Sequence, residues 1–446
     1  MSEIVNFIND FPDPYPLVMS FISDLPDLYP LFMRFISDFP ILFPLFMSFI
    51  WITGALIFYW KEERHITKVP HLDHYPMFSI LVPAHNEALQ IEDTLNKLLE
   101  LDYPDYEIIA IDDGSTDGTD RLIHAMAAKH ATIRALYMRE NHGKASAMNA
   151  ACAMIRGEYV LGLDADTLID SQALKWIGWH FNNYPRVGAV TGNPRVLNRT
   201  TLLAKIQTGE YSTIIGLIKR SQRILGKVLT VSGVIAAFRK QALEDIGFWD
   251  THTVTEDIDI TWRLQRHFWD IRYEPRALAW ILVPETISGL WLQRLRWAEG
   301  GIEALLKNGG IWHDWRQRRL WPIYIEYLVS TIWAYSFWLL ISLWAIQTAY
   351  NLYSPIDLLL SPPKLWAASL LALVCMMMFT MSIIMDSRYD KKLLRSLFWV
   401  IWYPFCYWLI SATTVAVAVP RVLLRKKGYV GSGTWQSPDR GIHLDN

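Results

Sequence analysis

Four stretches of this chain carry little or no charge over a length that crosses a membrane, and they constrain everything between them. Leu42 to Trp60 has no charged residue over 19 positions. As a helix it reaches about 28 Å at ~1.5 Å per residue, close to the thickness of a bilayer core. Ile323 to Gln347 carries only Glu326, near its start, and Trp366 to Met385 and Leu397 to Val419 carry no charge. With 52% hydrophobic residues and 21 tryptophans, the chain is too apolar for an ordinary soluble protein. The region from Lys61 to Trp321, in contrast, has the mixed charge of a globular domain. The expected organisation is a proline-rich repeat region (1–40), a transmembrane anchor (41–60), an α/β domain (61–284), interfacial amphipathic helices (285–320), a transmembrane α-helical bundle (321–420) and a polar tail (421–446).

A formal net charge of −2, with short basic runs beside apolar segments, gives no reason to invoke nucleic acid. Cys152, Cys375 and Cys406 are isolated and read as packed thiols, without a disulfide frame or zinc motif. The first residues lack the basic region of a signal peptide. They hold instead a repeat of 14 residues, FINDFPDPYPLVMS from Phe7, FISDLPDLYPLFMR from Phe21 and FISDFPILFPLFMS from Phe35. Each copy has at least two prolines, which interrupt a helix, so a tandem duplication near the membrane surface is expected rather than a coiled coil.

Asp10, Asp13, Asp24 and Asp27 precede the first span, and Lys61, Arg64 and Lys68 follow it. The positive-inside rule then puts the N-terminus outside and the domain in the cytosol. Three more spans would leave the C-terminus outside, yet Arg421, Arg425, Lys426 and Lys427 follow the last. Either Leu397 to Val419 bends at Pro404 and re-enters, or the rule fails here.

From Phe78 short apolar runs alternate with helical stretches. FSILVPAHNE, YEIIAIDDGSTDGT, IRALYM and EYVLGLDADT read as strands, and Ala88 to Leu101, Asp120 to Lys129 and Ala145 to Ile155 as helices. That alternation predicts a doubly wound, mainly parallel α/β sheet, which binds ligands at the C-terminal ends of its strands. His85-Asn86-Glu87, Asp112-Asp113 and Asp164-Asp166 all fall at such ends.

In an extended chain Asp164 and Asp166 point the same way, so both can face one cation and a diphosphate, although such pairs also occur in turns. IDDGSTDGT has the composition of a turn, and its carboxylates can also accept from a ribose or uracil. Gly143 and Lys144 open a helix, where an ammonium suits phosphate and where ordinary capping is the alternative. Thr255-Glu256-Asp257 precedes a helical stretch; capping uses one carboxylate and leaves another as a general base. Gln293, Arg296 and Trp297 share one helix face, suited either to a diphosphate and a sugar ring or to the headgroup layer. Trp333, Trp338, Trp399, Trp402 and Tyr403 suit a sugar path or a belt against lipid.

VPAHNE (82–87), DDG (112–114), DAD (164–166), TED (255–257) and QRLRW (293–297), in this order and membrane layout, resemble the processive, membrane-embedded family 2 glycosyltransferases of the GT-A fold. These include cellulose, chitin and hyaluronan synthases. VGAVTGNPRV (187–196), GEYSTIIGLIKRSQR (209–223), TVSGVIAAFRK (230–240), DIRYEPRALAWILVPET (270–286) and WQSPDRG (435–441) resemble more closely the branch that makes poly-β-1,6-N-acetyl-D-glucosamine. The likeness runs from about Phe78 to Gly441 and leaves out the repeats.

The resemblance implies a GT-A domain fused to a membrane bundle, in a bacterial inner membrane, with a cytosolic site. It implies that Asp112 and Asp113 hold uridine with Lys144 near the nucleotide, and that Asp164 contacts the nucleotide-sugar. Asp166, with Asp164, would ligate Mg2+ or Mn2+ on the diphosphate. Asp257 would be the general base, inverting an α-linked donor to a β-linkage, while Glu256, Gln293, Arg296 and Trp297 bind diphosphate and acceptor. It further implies UDP-GlcNAc as donor, a growing polysaccharide as acceptor, export through the bundle in biofilm formation, a small membrane partner subunit and cyclic di-GMP control. A hyaluronan-, chitin- or cellulose-like synthase, or a transferase adding one sugar to a lipid, is the alternative. A transporter or sensor that merely binds nucleotide would require DAD, TED and QRLRW to be coincidental.

Overall fold

The computed structural model describes residues 28–65, 68–349, 362–400 and 403–425. The first repeat copy, half of the second and the WQSPDRG motif lie outside them.

The catalytic-type domain is built on one eight-stranded sheet, ordered β3-β2-β1-β4-β7-β6-β8-β5. Its first half is the predicted one: β1 (Phe78–Ala84), β2 (Tyr106–Asp113), β3 (Ile133–Met138) and β4 (Tyr159–Leu163) are all parallel. All seven residues of β1 are buried, as expected of a parallel strand covered on both faces. Apolar clusters pack on either side, one around Phe78, Ile80 and Leu161, the other around Leu81, Ile109 and Val160.

The second half mixes directions. β7 (Ile235–Arg239) runs antiparallel to both β4 and β6 (Val187–Val196), and β5 (Leu168–Ile169) antiparallel to β8 (Asp270–Ile281), whereas β6 and β8 are parallel. The register pairs Ala84 with Asp112 and Leu81 with Gly162, so β1, β2 and β4 end nearly level. Their C-terminal ends form one polar edge.

Among the described residues three helices are long and apolar enough to cross a membrane: Arg34–Glu63, Trp315–Ala349 and Trp366–Asp386. The first overlaps helix α1 (Leu28–Phe58), which runs unbroken through Pro40 and Pro44. This corrects the expectation that prolines interrupt the third repeat copy. Pro44 has no N–H for the Pro40 carbonyl one turn earlier, and the Trp333 indole donates to that carbonyl instead, at 3.0 Å. Trp333 itself packs with Phe39, Phe43 and Trp408, and Lys205 sits over the Trp399 ring. Trp402 lies outside the described residues.

Within Leu397 to Val419 the described helical segments are Leu397–Val400 and most of Tyr403–Leu423, which runs on past Val419. At its end Arg421 and Arg425 reach Glu299, at 3.1 and 2.7 Å, on the helix that carries QRLRW.

Anchor, bundle and domain meet in a buried ion network. Arg220 bonds Glu63 at 2.8 Å and Asp386 at 2.9 Å, Arg195 bonds Asp386 at 2.8 Å, and the Tyr389 hydroxyl donates to Glu63. Two cations and two carboxylates, nearly or wholly out of solvent, thus neutralise each other across three separate segments.

Candidate active site

Two loops clamp together at the polar edge. Asn86, in the left-handed region at φ 55°, accepts from the Thr116 amide at 2.8 Å, and its own amide donates to Ser115 Oγ at 3.0 Å. Gly114 has φ 67°, and a Cβ there would lie 2.7 Å from the Glu140 backbone, so no side chain fits.

The two aspartates of DDG have different surroundings. Asp113 is fully buried and accepts from the His142 and Gly143 amides at 2.9 and 2.8 Å. It thereby fixes the loop that delivers Lys144. In Asp112, Oδ1 is buried with no hydrogen-bond partner, and burial raises its carboxyl above the usual range. A donor group on a ligand would satisfy that oxygen.

DAD is not extended. The Thr167 amide donates to the Asp164 carbonyl at 3.0 Å, closing a turn, and Thr94 Oγ1 holds the Ala165 carbonyl at 2.7 Å. The period-two reasoning for Asp164 and Asp166 therefore does not apply, because β4 ends at Leu163, one residue earlier. Asp166 is 8% exposed, beside Tyr211. Asp164 bonds Lys144 Nζ at 2.5 Å.

Lys144 ties the two halves of the site. Besides Asp164 it donates to the Gly233 carbonyl at 3.1 Å and stands 3.3 Å from Glu256. Glu256 and Asp257 open helix α2 (Glu256–Arg266). Burial opposes ionisation of Glu256, but the Lys144 and Arg296 charges prevail and hold it below the usual range. In Asp257 burial and the neighbouring Glu256 charge win over the same two cations and push the carboxyl up to about 6. Adjacent carboxylates are driven apart, one kept ionised and one poised near neutrality, as acid–base chemistry requires.

QRLRW lies on helix α3 (Ile287–Lys307). Arg296 is solvent-exposed yet within electrostatic reach of Glu256 and Asp257. Gln293 accepts from Arg294 at 2.9 Å, and Arg294 stacks over Trp297 at 4.1 Å while bonding Glu210 at 2.9 Å. Trp297 meets Tyr211 edge-on at 6.5 Å.

Sequence reasoning missed Glu210, Tyr211 and Arg294. The first two sit in the GEYST segment, where the helix widens into a π turn over Tyr211–Leu217, a distortion frequent at functional sites. It also missed Lys219, buried with its ammonium on Ser232 Oγ at 2.6 Å. Burial pushes Lys219 down to about 7 against the pull of Asp257.

Among the described residues no three His, Cys, Asp or Glu side chains form a metal cage. Asp164 and Asp166, expected as metal ligands, lie on the DAD turn. Two carboxylates suit a hard ion that takes its other ligands from a diphosphate and water.

A family model described as "Glycosyltransferase like family 2" matches residues 76–300, from just before β1 to the middle of α3. The chain belongs to that family. It is 40% identical over 398 residues to the poly-beta-1,6-N-acetyl-D-glucosamine synthase of Staphylococcus epidermidis, covering 88% of this chain and 95% of that protein. It is 41% identical to the synthase of the same name from Staphylococcus aureus strain COL, with the same coverage. Among solved structures, a mannosyltransferase from Pyrobaculum calidifontis in complex with GDP-Man and Mn2+ superposes with a TM-score of 0.54 at 21% identity. That likeness covers 87% of this chain and 99% of the other, and it shows a common fold. The match thus ends within the helix that bears QRLRW.

Proposed function

We propose that this family 2 glycosyltransferase is a processive, inverting enzyme that builds poly-β-1,6-N-acetyl-D-glucosamine from UDP-GlcNAc. The bridging of Asp164 and Glu256 by Lys144 carries the reading: a donor-side carboxylate and a base-side carboxylate share one cation, at 2.5 and 3.3 Å.

Asp112 accepts from the uracil or ribose, and Asp113 positions the loop before Lys144 rather than touching the nucleotide. Asp164 and Asp166 would hold Mg2+ or Mn2+; when bound, such an ion neutralises charge on the diphosphate. Asp257 takes the proton from the acceptor 6-hydroxyl. As that oxygen bonds the anomeric carbon, the bond from carbon to the phosphate oxygen breaks, and UDP departs with the electron pair. Attack from the face opposite UDP turns an α-linked donor into a β-linkage. Arg296 stabilises the departing charge, and Trp297, stiffened by Arg294, offers a ring face to the acceptor sugar.

In this reading the domain faces the cytosol, the chain crosses a bacterial inner membrane several times, and the bundle takes up the polymer for export in biofilm formation. The contacts of Arg421 and Arg425 with Glu299 favour a C-terminal end on the domain's side. A small partner subunit and cyclic di-GMP control, expected from the resemblance, belong to the same reading. Membranes containing the protein, incubated with UDP-GlcNAc and Mg2+ or Mn2+, should release UDP and yield a β-1,6-linked polymer. A β-1,4 product would move the assignment to a chitin- or hyaluronan-like synthase, and no metal-dependent UDP release would end the enzyme reading.

A further inference from the structure

A cavity of about 450 Å³ lies where the domain meets the entry to a spanning helix, away from the DDG, DAD and TED residues. One wall comes from the domain: Arg186, Lys227, Gln265 and Phe268. The other is the segment Arg316–Leu320, which leads directly into the helix Trp321–Ala349. The lining holds five cations, Arg186, Lys227, Arg316, Arg318 and Arg319, and no carboxylate.

Like charges gathered in one cavity repel, weakly where solvent screens them, as at the exposed Arg186, Arg316, Arg318 and Arg319, and more strongly at buried Lys227. An anion in the cavity relieves both. Of the five cations, Arg316 alone has a carboxylate partner among the described residues, and the other nearby carboxylate is engaged outside the cavity. Asp314 holds Arg316 at 3.2 Å, and Asp270 holds Arg223 and Arg272 at 3.5 and 3.4 Å. Lys227 is 9% exposed, and its ammonium has one long contact, 3.4 Å to the Trp269 carbonyl. Burial, together with the Arg223, Arg319 and Arg186 charges, depresses its pKa despite the attraction of Asp270. Arg318 reaches only the Trp315 carbonyl, at 3.3 Å, and stacks on the Trp315 ring.

Two further features bear on the source of the anion. Trp312, Trp315 and Trp321 cluster beside the cavity, with ring centroids 5.0 and 5.4 Å apart, and Trp315 is 66% exposed. Exposed tryptophans at the start of a spanning helix mark headgroup depth. Phe268, held at φ 64°, leaves its ring 42% exposed at the cavity, an apolar surface beside the charges.

We propose that this cavity binds the phosphate headgroup of an anionic lipid from the leaflet facing the domain, with Arg186, Lys227 and Arg319 on the phosphate and Phe268 and Trp315 against glycerol and acyl chain. A headgroup seated there spans the domain and the entry to the membrane helix. It would fix the height at which the domain rides on the bilayer.

The test uses the full chain in nanodiscs of phosphatidylcholine containing graded amounts of phosphatidylglycerol, with retained lipid read by native mass spectrometry. Phosphatidylglycerol should be retained selectively, and the triple variant R186Q/K227Q/R319Q should lose it by roughly a hundredfold. The single R319Q, at an exposed position, should weaken retention by about fivefold and guards against misfolding of the triple variant. UDP affinity serves as the folding control in both. Equal retention by wild type and R319Q would overturn the proposal, as would displacement of the lipid by an equal concentration of inorganic phosphate, which would make the cavity a free-phosphate site.

Discussion

Helix α3 meets Thr255 at Gly300 with no side chain between them: a Cβ at Gly300 would lie 1.8 Å from Thr255 Oγ1. Thr255 is the first residue of TED, so the helix bearing QRLRW sets the position of Asp257 by direct contact. Glu303 of the same helix accepts from the Val254 amide at 3.0 Å and fixes the loop from its other side.

Gly300→Ala should therefore slow polymer formation by roughly a hundredfold, the penalty of a misplacement of about 1 Å. UDP binding, which depends on strand ends away from this contact, should hold. Unchanged turnover in a radiolabelled UDP-GlcNAc assay would show that the loop can yield.

The acidic limb of the pH–rate profile should have its midpoint near 6, because burial and then Glu256 raise the Asp257 carboxyl to about 6 and a base must be ionised to act. Activity should fall as pH drops through that value and level off above it. Glu256→Gln removes a raising charge, so the midpoint in the variant should move to lower pH. A midpoint that stays put would assign the titration to another group.

Asp257→Asn should remove polymer synthesis by about 10²–10⁴-fold while UDP still binds, as calorimetry would register. Loss of UDP binding instead would make Asp257 a nucleotide ligand.

Arg294→Ala would leave Glu210, 3% exposed, without its cation. Breaking one side of a buried pair costs about 3–5 kcal/mol. A clear drop in the thermal midpoint is expected, along with shorter polymers, since Trp297 loses the guanidinium that stacks on it.

Breaking the network at Arg220→Met should also destabilise by about 3–5 kcal/mol, because Glu63 loses its cation, keeping only the Tyr389 hydroxyl, and Asp386 loses one of two. Detergent-solubilised protein followed by tryptophan fluorescence on heating would read this.

The first four strands, the carboxylates at their ends and three spans were legible because period and charge are local properties of a chain. What escaped depends on partners distant in sequence. Nothing in DAD signals that β4 stops at Leu163 and that the pair rides on a turn pinned by Thr94. Nothing in DDG separates Asp112, left with a bare oxygen, from Asp113, consumed by two amides of another loop. The prolines of α1 read as breaks because Trp333, which satisfies the Pro40 carbonyl, lies 293 positions away. Arg294 was passed over because helix geometry drew attention to Gln293, Arg296 and Trp297, while its partner Glu210 precedes β7.

The Glu63–Arg220–Asp386–Arg195 network also dictates an order of events during synthesis. Arg195 and Arg220 emerge from the ribosome long before Asp386, so the sheet that carries the donor site cannot neutralise its own interior until the third spanning-length helix has been inserted. A nascent chain halted before that point holds every motif of the active site around unmatched charge. A chain that ends before Asp386 should therefore be less stable than the full chain, because Arg195 lacks its carboxylate and Arg220 keeps only Glu63.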